Sequence, residues 1–300
     1  MNPVEPSPDV PPDVPPDVIL DARTLIERYG IRAKKSWSQN FLVDDRAYRS
    51  IVAACQLSPG DMVVELGAGL GTLTSHLLAT GAQVIAIERE RDMCAVLLAE
   101  LGRRPRLQIC EADALSIDLP TLLPPTKPGA RGVVVGNLPY QIASPLIFHC
   151  LQQRACLRTL VFMIQREVAD RLLASVGSDH YSAMSAQVQM LARVDLVCHV
   201  GRRGFIPAPK VDSTVVRLTP FAESRVPVLD LRQYQAVVRA GFSQRRKMLR
   251  NSLAAQLGDA ALPALQSAGI DLSRRAETLS VAEFAKLSDA LSQYGPTPAA

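Results

Sequence analysis

Four short apolar runs punctuate the first half of the chain: MVVEL at 62–66, VIAIE at 84–88, LQICEAD at 107–113 and VVVGN at 133–137. Between the first two, TLTSHLLATG has helical spacing and stops at Gly81; between the second and third, RDMCAVLLAELG does the same and stops at Gly102. Strands this apolar, alternating with helices, predict an α/β domain with a parallel sheet covered on both faces. After the linker-like TPFAESRVP the pattern turns helical. In AGFSQRRKMLRNSL, Phe242, Leu249 and Leu253 recur at intervals of seven and four on one side of a predicted helix. The expected division is a tail over 1–20, an α/β domain over 21–220 and a small helical domain over 221–295.

Each apolar run closes on a polar side chain. Glu65, Glu88, Asp113 and Asn137 follow one another at 23, 25 and 24 residues, one strand-helix unit per interval. In an open parallel sheet, ligands bind beyond the carboxyl ends of the strands, where strand order reverses. Each acid could instead cap the helix that follows it. The regularity of the series favours one shared site.

Composition limits the function classes. Hydrophobic residues at 48% and charged residues at 21% describe an ordinary soluble protein. Residues 132–153 carry no formal charge, but Asn137, Pro139, Gln141, Pro145 and His149 interrupt the span, which argues against a membrane helix. Cysteines 55, 94, 110, 150, 156 and 198 form no C-x-x-C pair and no zinc-like cluster, so they read as buried thiols of a cytoplasmic protein without a metal. The opening MNPVEPSPDVPPDVPPDV is a Pro-Asp-Val repeat, expected to be extended, without the basic start and apolar run of a signal peptide. Charge is uneven: the first 20 residues hold four acids and no base, residues 21–220 hold 23 bases and 18 acids, and residues 221–300 hold 10 and 7. The globular part is therefore basic, which suits a polyanionic partner.

The first turn reads ELGAGLGTLT. Gly67, Gly69 and Gly71 give G-x-G-x-G, whereas a dinucleotide fingerprint would place its third glycine where Thr72 stands. Glu88 follows Gly67 by 21 residues, the distance at which an acid can accept from both hydroxyls of a ribose. Asp113, at the next strand end, could accept from an adenine amino group, and Glu65 stands just before the turn. No G-K-[ST] phosphate loop is present. A nucleoside without a pyrophosphate is expected, and S-adenosyl-L-methionine fits best.

ELGAGLG, the acid in AIERE and the EAD turn resemble the cofactor half of a Rossmann-like methyltransferase, and GNLPY resembles the signature of amino methyltransferases in its N-L-P-Y form. KKSWSQNFLVD (34–44), QREVADRL (165–172), FIPAPKVDSTVVRL (205–218) and FSQRRKMLRNSL (242–253) extend the match. Together they are similar to the small-subunit ribosomal RNA adenine N6-dimethyltransferases, over roughly residues 25–290. Departures are Trp37-Ser38, where a small or aromatic residue and then glycine is usual, and Met248, where threonine is common. The resemblance implies transfer of two methyl groups to the N6 amine of each of two adjacent adenosines. The substrate it implies is small-subunit rRNA in a pre-30S particle, and a monomer is expected. It also implies that the QNFLVD segment lies over the cofactor, bringing in Asn40 and Leu42 beside Gly67, Gly69, Glu88, Asp113 and Asn137.

An exocyclic adenine amine is a poor nucleophile because its lone pair is delocalised into the ring. Two acceptors that hold its N–H bonds would turn that lone pair toward a methyl donor. Asn137 offers a side-chain oxygen, and the backbone carbonyl of Leu138 or Pro139 a second, in a turn that Pro139 stiffens. Tyr140 offers a flat face to a base taken out of its stack. By resemblance, Phe205 would cover the other face, although a core aromatic before a proline turn would look the same. Arg245, Arg246, Lys247 and Arg250 crowd one part of the predicted basic helix and read as phosphate contacts or a solvated face. Lys34, Lys35, Arg202 and Arg203 are candidates to extend it. Two other readings remain: a large-subunit rRNA methyltransferase of the erythromycin-resistance type, and an assembly factor in which methylation is incidental.

Overall fold

The computed structural model describes residues 18–31, 40–125 and 130–294. Lys34, Lys35, Trp37, Ser38 and the repeat over residues 1–17 lie outside the described residues. The elements begin with α1 (Ala22–Arg28), β1 (Phe41–Leu42), α2 (Asp45–Cys55), β2 (Met62–Leu66), α3 (Thr72–Leu78), β3 (Gln83–Glu88), α4 (Arg91–Leu101) and β4 (Leu107–Glu111). They continue with α5 (Leu119–Leu122), β5 (Gly132–Asn137), α6 (Ala143–Gln152), β6 (Leu157–Gln165), α7 (Arg166–Leu173), α8 (Ala183–Leu191), β7 (Ala192–Val200), β8 (Phe205–Ile206) and β9 (Ser213–Pro220). Four more helices close the chain: α9 (Leu231–Phe242), α10 (Leu249–Leu257), α11 (Ala261–Ser267) and α12 (Val281–Leu291). The four predicted strands appear as β2, β3, β4 and β5.

Seven strands form one sheet in the order β4-β3-β2-β5-β6-β9-β7. The ladders from β4 through β6 are parallel, and β9 runs antiparallel to β6. Chain order therefore reverses between β2 and β5, which opens a crevice beyond their carboxyl ends. Both sheet faces are covered. Val63, Val133, Val135 and Val161 pack on Ile51, Cys55 and Leu77, and further along the same face Ala86 and Ile109 pack on Leu97, Leu101 and Leu25, while Val64, Ile85, Val134 and Phe162 are buried on the opposite face. The uncharged stretch at 132–153 is divided between strand β5 and helix α6, and no described helix is long and apolar enough to cross a membrane.

Chain contacts separate two compact units. One contains the sheet and its helices up to Ala169 and again over Asp195–Pro220; the other joins Asp170–Val194 to the chain from Phe221 onward. A single cut after residue 220 thus misses the return of residues 170–194 to the helical unit. The reason is packing: Tyr234 of α9 is fully buried and donates its hydroxyl to the Ala186 carbonyl of α8 at 3.1 Å, and Phe242 packs on Tyr181 and Phe284 with ring centroids 6.0 and 5.9 Å away. Helix α12 starts with a reciprocal cap between Ser280 and Glu283, and the Arg274 guanidinium beside Glu283 holds that carboxyl down to about 2.

The basic stretch is not one helix. Helix α9 ends at Phe242, α10 starts at Leu249, and the residues between form turns in which the Lys247 N–H reaches the Gln244 carbonyl at 2.9 Å. Met248, with extended backbone, stands just before α10. Leu249 and Leu253 are buried as their spacing implied. The all-thiol expectation holds with a difference of degree, since all six cysteines are free but Cys156 and Cys198 are only half-buried. Gly102 ends α4 with a right-handed φ of −59°, so it is not a left-handed cap.

Backbone proximity at the reversal point sets a strict size limit. A Cβ on Gly136 in β5 would sit 2.6 Å from the Leu66 carbonyl oxygen of β2. Gly136→Ala is therefore expected to destabilise the protein by about 1–3 kcal/mol, measured by denaturant unfolding; an unchanged midpoint would show that the two strand ends can spread freely.

Candidate active site and cofactor cleft

Three glycines make the first turn possible. Gly67, Gly69 and Gly71 have φ of 72°, 55° and 80°, a left-handed series that side-chain-bearing residues avoid. Gly71 leads directly into α3, where an added Cβ would also strike Leu97 at 2.8 Å. The Gly67 and Ala68 N–H groups reach the Ile87 carbonyl, at 2.9 and 3.2 Å.

Glu88, the last residue of β3, anchors this turn. One carboxylate oxygen accepts from Gly69 N–H at 2.8 Å, and the other accepts from the N–H groups of Arg89 and Glu90 at 2.7 and 2.8 Å. Burial pushes its carboxyl above the usual range, against the pull of these three donors. The oxygen facing Gly69 keeps acceptor capacity for a ligand hydroxyl. Asp113 splits its duties similarly: one oxygen caps the short turn at Leu115 N–H at 2.9 Å, and the other lies 3.3 Å from the Arg89 guanidinium. The helix-capping alternative is thus true of part of the Asp113 side chain, whereas the donors to Glu88 all precede α4.

Glu65 departs from the series. It is one residue short of the end of β2 and shares a face with Val63, so it turns inward toward α3 and accepts from the Thr74 hydroxyl at 2.6 Å. It is buried, and that desolvation pushes its carboxyl up to about 8.

Two cavities run along the sheet's carboxyl edge and share Phe41, Gly67, Gly69 and Pro139. The larger, about 360 Å³, has an apolar wall of Ile87, Met93, Ile142 and Leu146 with Glu88 and Asp113 at its rim. A flat aromatic ring and a diol suit this combination. The smaller, about 120 Å³, is bordered by Asn40, Leu42, Tyr48, Glu65, Thr72, Asn137, Leu138 and Tyr140. Asn40, Leu42, Glu65, Gly67, Gly69, Glu88, Asp113, Asn137, Pro139 and Tyr140 are therefore brought together. The donor set fits S-adenosyl-L-methionine: acceptors for a ribose, an apolar slot for adenine, and a polar arm for an amino acid.

The NLPY turn is braced from three sides. The Asn137 amide nitrogen points to the Asn40 carbonyl at 3.4 Å, and Leu138 N–H donates to the Met163 carbonyl of β6 at 3.0 Å. Tyr140 shares a hydrogen bond with Ser213 of β9 at 2.8 Å, and burial raises its phenol pKa. The Pro139 carbonyl already accepts from Ile142 N–H at 3.1 Å, so the Leu138 carbonyl is the better second acceptor.

Phe205 is not on either cavity wall. It is 3% exposed, pairs with Leu42 across the β1–β8 ladder and packs in the core with Ile51, Met163 and Val215. In this conformation it is a core aromatic, one strand behind the cavity-lining Leu42. Arg245, Arg246, Lys247 and Arg250 lie in the helical unit, all exposed; Arg245 is engaged there with Glu277 at 3.4 Å and with the Asp179 carbonyl. Arg202 and Arg203 belong to the sheet unit, with Arg202 3.7 Å from Asp212.

Sequence reasoning did not find Phe41, Thr74 or Ser213. Phe41 borders both cavities, but a lone aromatic beside an asparagine carries no period. Ser213 had a signal, as the polar step before the apolar run STVVRL, yet its partner Tyr140 is 73 residues away.

Comparison with known proteins agrees with this geometry. The family model described as ribosomal RNA adenine dimethylase matches residues 30–293. The chain is 42% identical over 285 residues to the Ribosomal RNA small subunit methyltransferase A of Myxococcus xanthus (92% of this chain, 98% of that one). It is 44% identical over 278 residues to the protein of that name from Anaeromyxobacter sp. (90% and 97%). Among solved structures, a dimethyladenosine transferase from Plasmodium falciparum superposes with TM-score 0.69 at 28% identity, covering 82% of this chain and 95% of that one. The 23S rRNA methyltransferase ErmE superposes with TM-score 0.64 at 27% identity, covering 85% and 100%. With a glycine turn pinned by Glu88 and an asparagine-proline turn facing it, this chain belongs to the ribosomal RNA adenine dimethylase family, whose methyl donor is S-adenosyl-L-methionine.

Proposed function

We propose that this chain dimethylates the N6 amines of two adjacent adenosines in a loop near the 3′ end of 16S rRNA. It would act as a cytoplasmic monomer on a pre-30S particle. The observation that carries this reading is the Asn137 turn, which opens into the same cavity as Gly67, Leu42 and Tyr140. The small-subunit assignment follows the relatives at 42–44% identity over nine-tenths of the chain, which are small-subunit methyltransferases by name. The likeness to the 23S enzyme is weaker, at 27%.

S-adenosyl-L-methionine supplies a methyl group on a sulfonium, which leaves without acid assistance. What the protein must do is present the amine. The Asn137 side-chain oxygen and the Leu138 carbonyl accept its two N–H bonds and turn the lone pair along the axis of attack. Tyr140, tethered by Ser213, stacks on the base, a contribution on the order of 1–3 kcal/mol. A strong base is unnecessary, because the amine loses its proton after the methyl has transferred. A once-methylated amine has one N–H left, so one acceptor suffices for the second transfer.

Phe205 reaches the base only if β1 shifts from its place beside the cavity. A part of its contribution is then structural, and Phe205→Ala should cost about 3–5 kcal/mol of stability as a buried aromatic truncation. Phe205→Leu should restore most of that stability, measured by denaturant unfolding, while leaving methyl transfer impaired. Full activity in the leucine variant would remove Phe205 from the pocket.

Radiolabelled methyl transfer to undermethylated small-subunit particles, with mapping of the dimethyladenosines, tests the main reading. Label only on naked large-subunit RNA would overturn it. Asn137→Ala is expected to lower kcat by about 10²–10³-fold, the usual loss of one preorganised polar contact in the transition state, with particle binding retained. Growth defects that follow deletion but not this inactive variant would favour the assembly role.

The exposed turn over Arg246 and Lys247, with Arg250 at the start of α10, is the proposed phosphate contact. Replacing all three by alanine should weaken particle binding and shallow the slope of log K against log salt by about 0.7–0.9 per lost contact. Arg245→Ala should change that slope less, because its guanidinium already serves Glu277 and the Asp179 carbonyl.

A further inference from the structure

The turn that joins α4 to β4 reads RRPR, residues 103–106, and two of its guanidinium groups are placed unusually. Arg104 is 9% exposed, and its Nε and Nη2 meet no hydrogen-bond acceptor among the described residues; the same holds for the buried Nε of Arg106. Arg106 spends Nη2 on the Leu78 carbonyl at the end of α3, at 3.3 Å. Glu100, the acid that precedes this turn on α4, serves Arg28 and Tyr29 instead, at 2.6 and 2.7 Å. Guanidinium groups so far removed from water are costly without an anion beside them.

The start of the chain is led to this place. Ala22 borders the smaller cavity together with Thr72. Leu20 N–H donates to the Ser75 hydroxyl at 3.0 Å, and Leu20 and Leu101 both come within 4 Å of the point a Cβ on Gly71 would take. Thr72, Ser75 and Leu78 stand three apart on α3 and so form one stripe. Followed backward from Ala22 to Leu20, the chain therefore descends α3 toward the carbonyl that holds Arg106. Upstream of this anchor, residues 1–17 carry Glu5, Asp9, Asp13 and Asp17 and no lysine or arginine. Asp17 is three residues from Leu20. A proline-rich chain rises about 3.1 Å per residue, which would set Asp13 about 12 Å beyond Asp17.

We propose that Asp13 and Asp17 of the Pro-Asp-Val repeat seat on Arg104 and Arg106, so that the tail serves as a built-in phosphate mimic over this turn. Arginine forks take carboxylates and phosphates alike. The turn immediately precedes β4, at the amino edge of the parallel sheet, whereas both cavities lie along the carboxyl edge. RNA held at the turn could not present an adenine to Asn137. Carboxylates on the same chain occupy the arginines at high effective concentration. Substrate is then left to bind where methyl transfer can follow.

Anisotropy titration of a labelled uridine oligonucleotide, a polyanion without adenosine, into the full-length protein at several salt concentrations tests this. Asp13→Asn combined with Asp17→Asn should tighten binding and steepen the slope of log K against log salt by about 1.4, about 0.7 for each uncovered arginine. Adding Arg104→Gln and Arg106→Gln should erase that gain. Adding Arg106→Gln alone, at a half-buried position that threatens folding less, should halve it. With the native tail, Arg106→Gln should leave oligonucleotide binding unchanged. Methyl transfer to small-subunit particles should be the same with and without the two tail acids. An unchanged affinity on removing the acids, or a gain of one size with and without Arg106, overturns the proposal. Weaker binding by Arg106→Gln with the native tail does so too, because the turn would then be an open RNA site. A gain abolished by Arg246→Ala with Lys247→Ala, or a changed kcat/KM on removing the acids, would assign the tail to the substrate surface and overturns it equally.

Discussion

The carboxylate of Glu88 holds the cleft open. Three backbone N–H groups converge on it, one from the glycine turn and two from the chain leaving β3, at 2.7–2.8 Å. These bonds fasten the β2–α3 turn to the end of the neighbouring strand. Within the turn the Gly71 N–H reaches the Ala68 carbonyl at 3.0 Å, but the Gly69 N–H relies on the Glu88 carboxylate. Without Glu88 the Gly69 amide would lose this partner, and the proposed ribose subsite would have no fixed wall. The same side chain thus stabilises the fold locally and offers its remaining acceptor capacity to a ligand.

The opposite wall is built on a different principle. The NLPY turn is not held by one strong contact. The β6 backbone at Met163, the β9 hydroxyl of Ser213 and the carbonyl of Asn40 each fix one residue of it. Strand β6 is parallel to β5 and β9 is antiparallel to β6, so these braces approach from chain segments far apart in sequence. The rigid arrangement suits a reaction in which geometry supplies most of the rate. In the proposed mechanism an adenine amine needs its lone pair aimed, and a turn stiffened by Pro139 and tethered at Tyr140 suits that role.

Electrostatics separates the two halves of the cleft. The larger half, proposed to take the nucleoside, is acidic at its rim, with Glu88 and Asp113 already compensated by backbone donors and Arg89. The inner half keeps Glu65 away from water with one hydroxyl donor. The helical unit obeys another constraint. Arg245, Arg246 and Lys247 sit on a turn because Phe242, Leu249 and Leu253 pack into the helical unit and leave the chain between the two helices exposed.

Much of this was legible along the chain. The four strand ends, the glycine turn and the N-L-P-Y step are local, because period, left-handed glycine and a polar residue after an apolar run each leave a mark within a few residues. Asn40 and Leu42 were reachable only through family resemblance, since nothing in their immediate neighbourhood distinguishes them from a loop. What the tertiary structure decided was orientation and partnership. Glu65 and Glu88 look equivalent in sequence and share one face of the sheet, yet Glu65 stands level with Ala86 inside the ladder whereas Glu88 reaches past the end of β2 to the edge. Phe205 reads as a clamp or a core residue with equal ease, and only the ladder with Leu42 buried it. Residues 170–194 look like part of the sheet domain, but α8 packs on α9. Sequence records what a residue can do locally; long-range packing chooses which face it shows and which partner it meets.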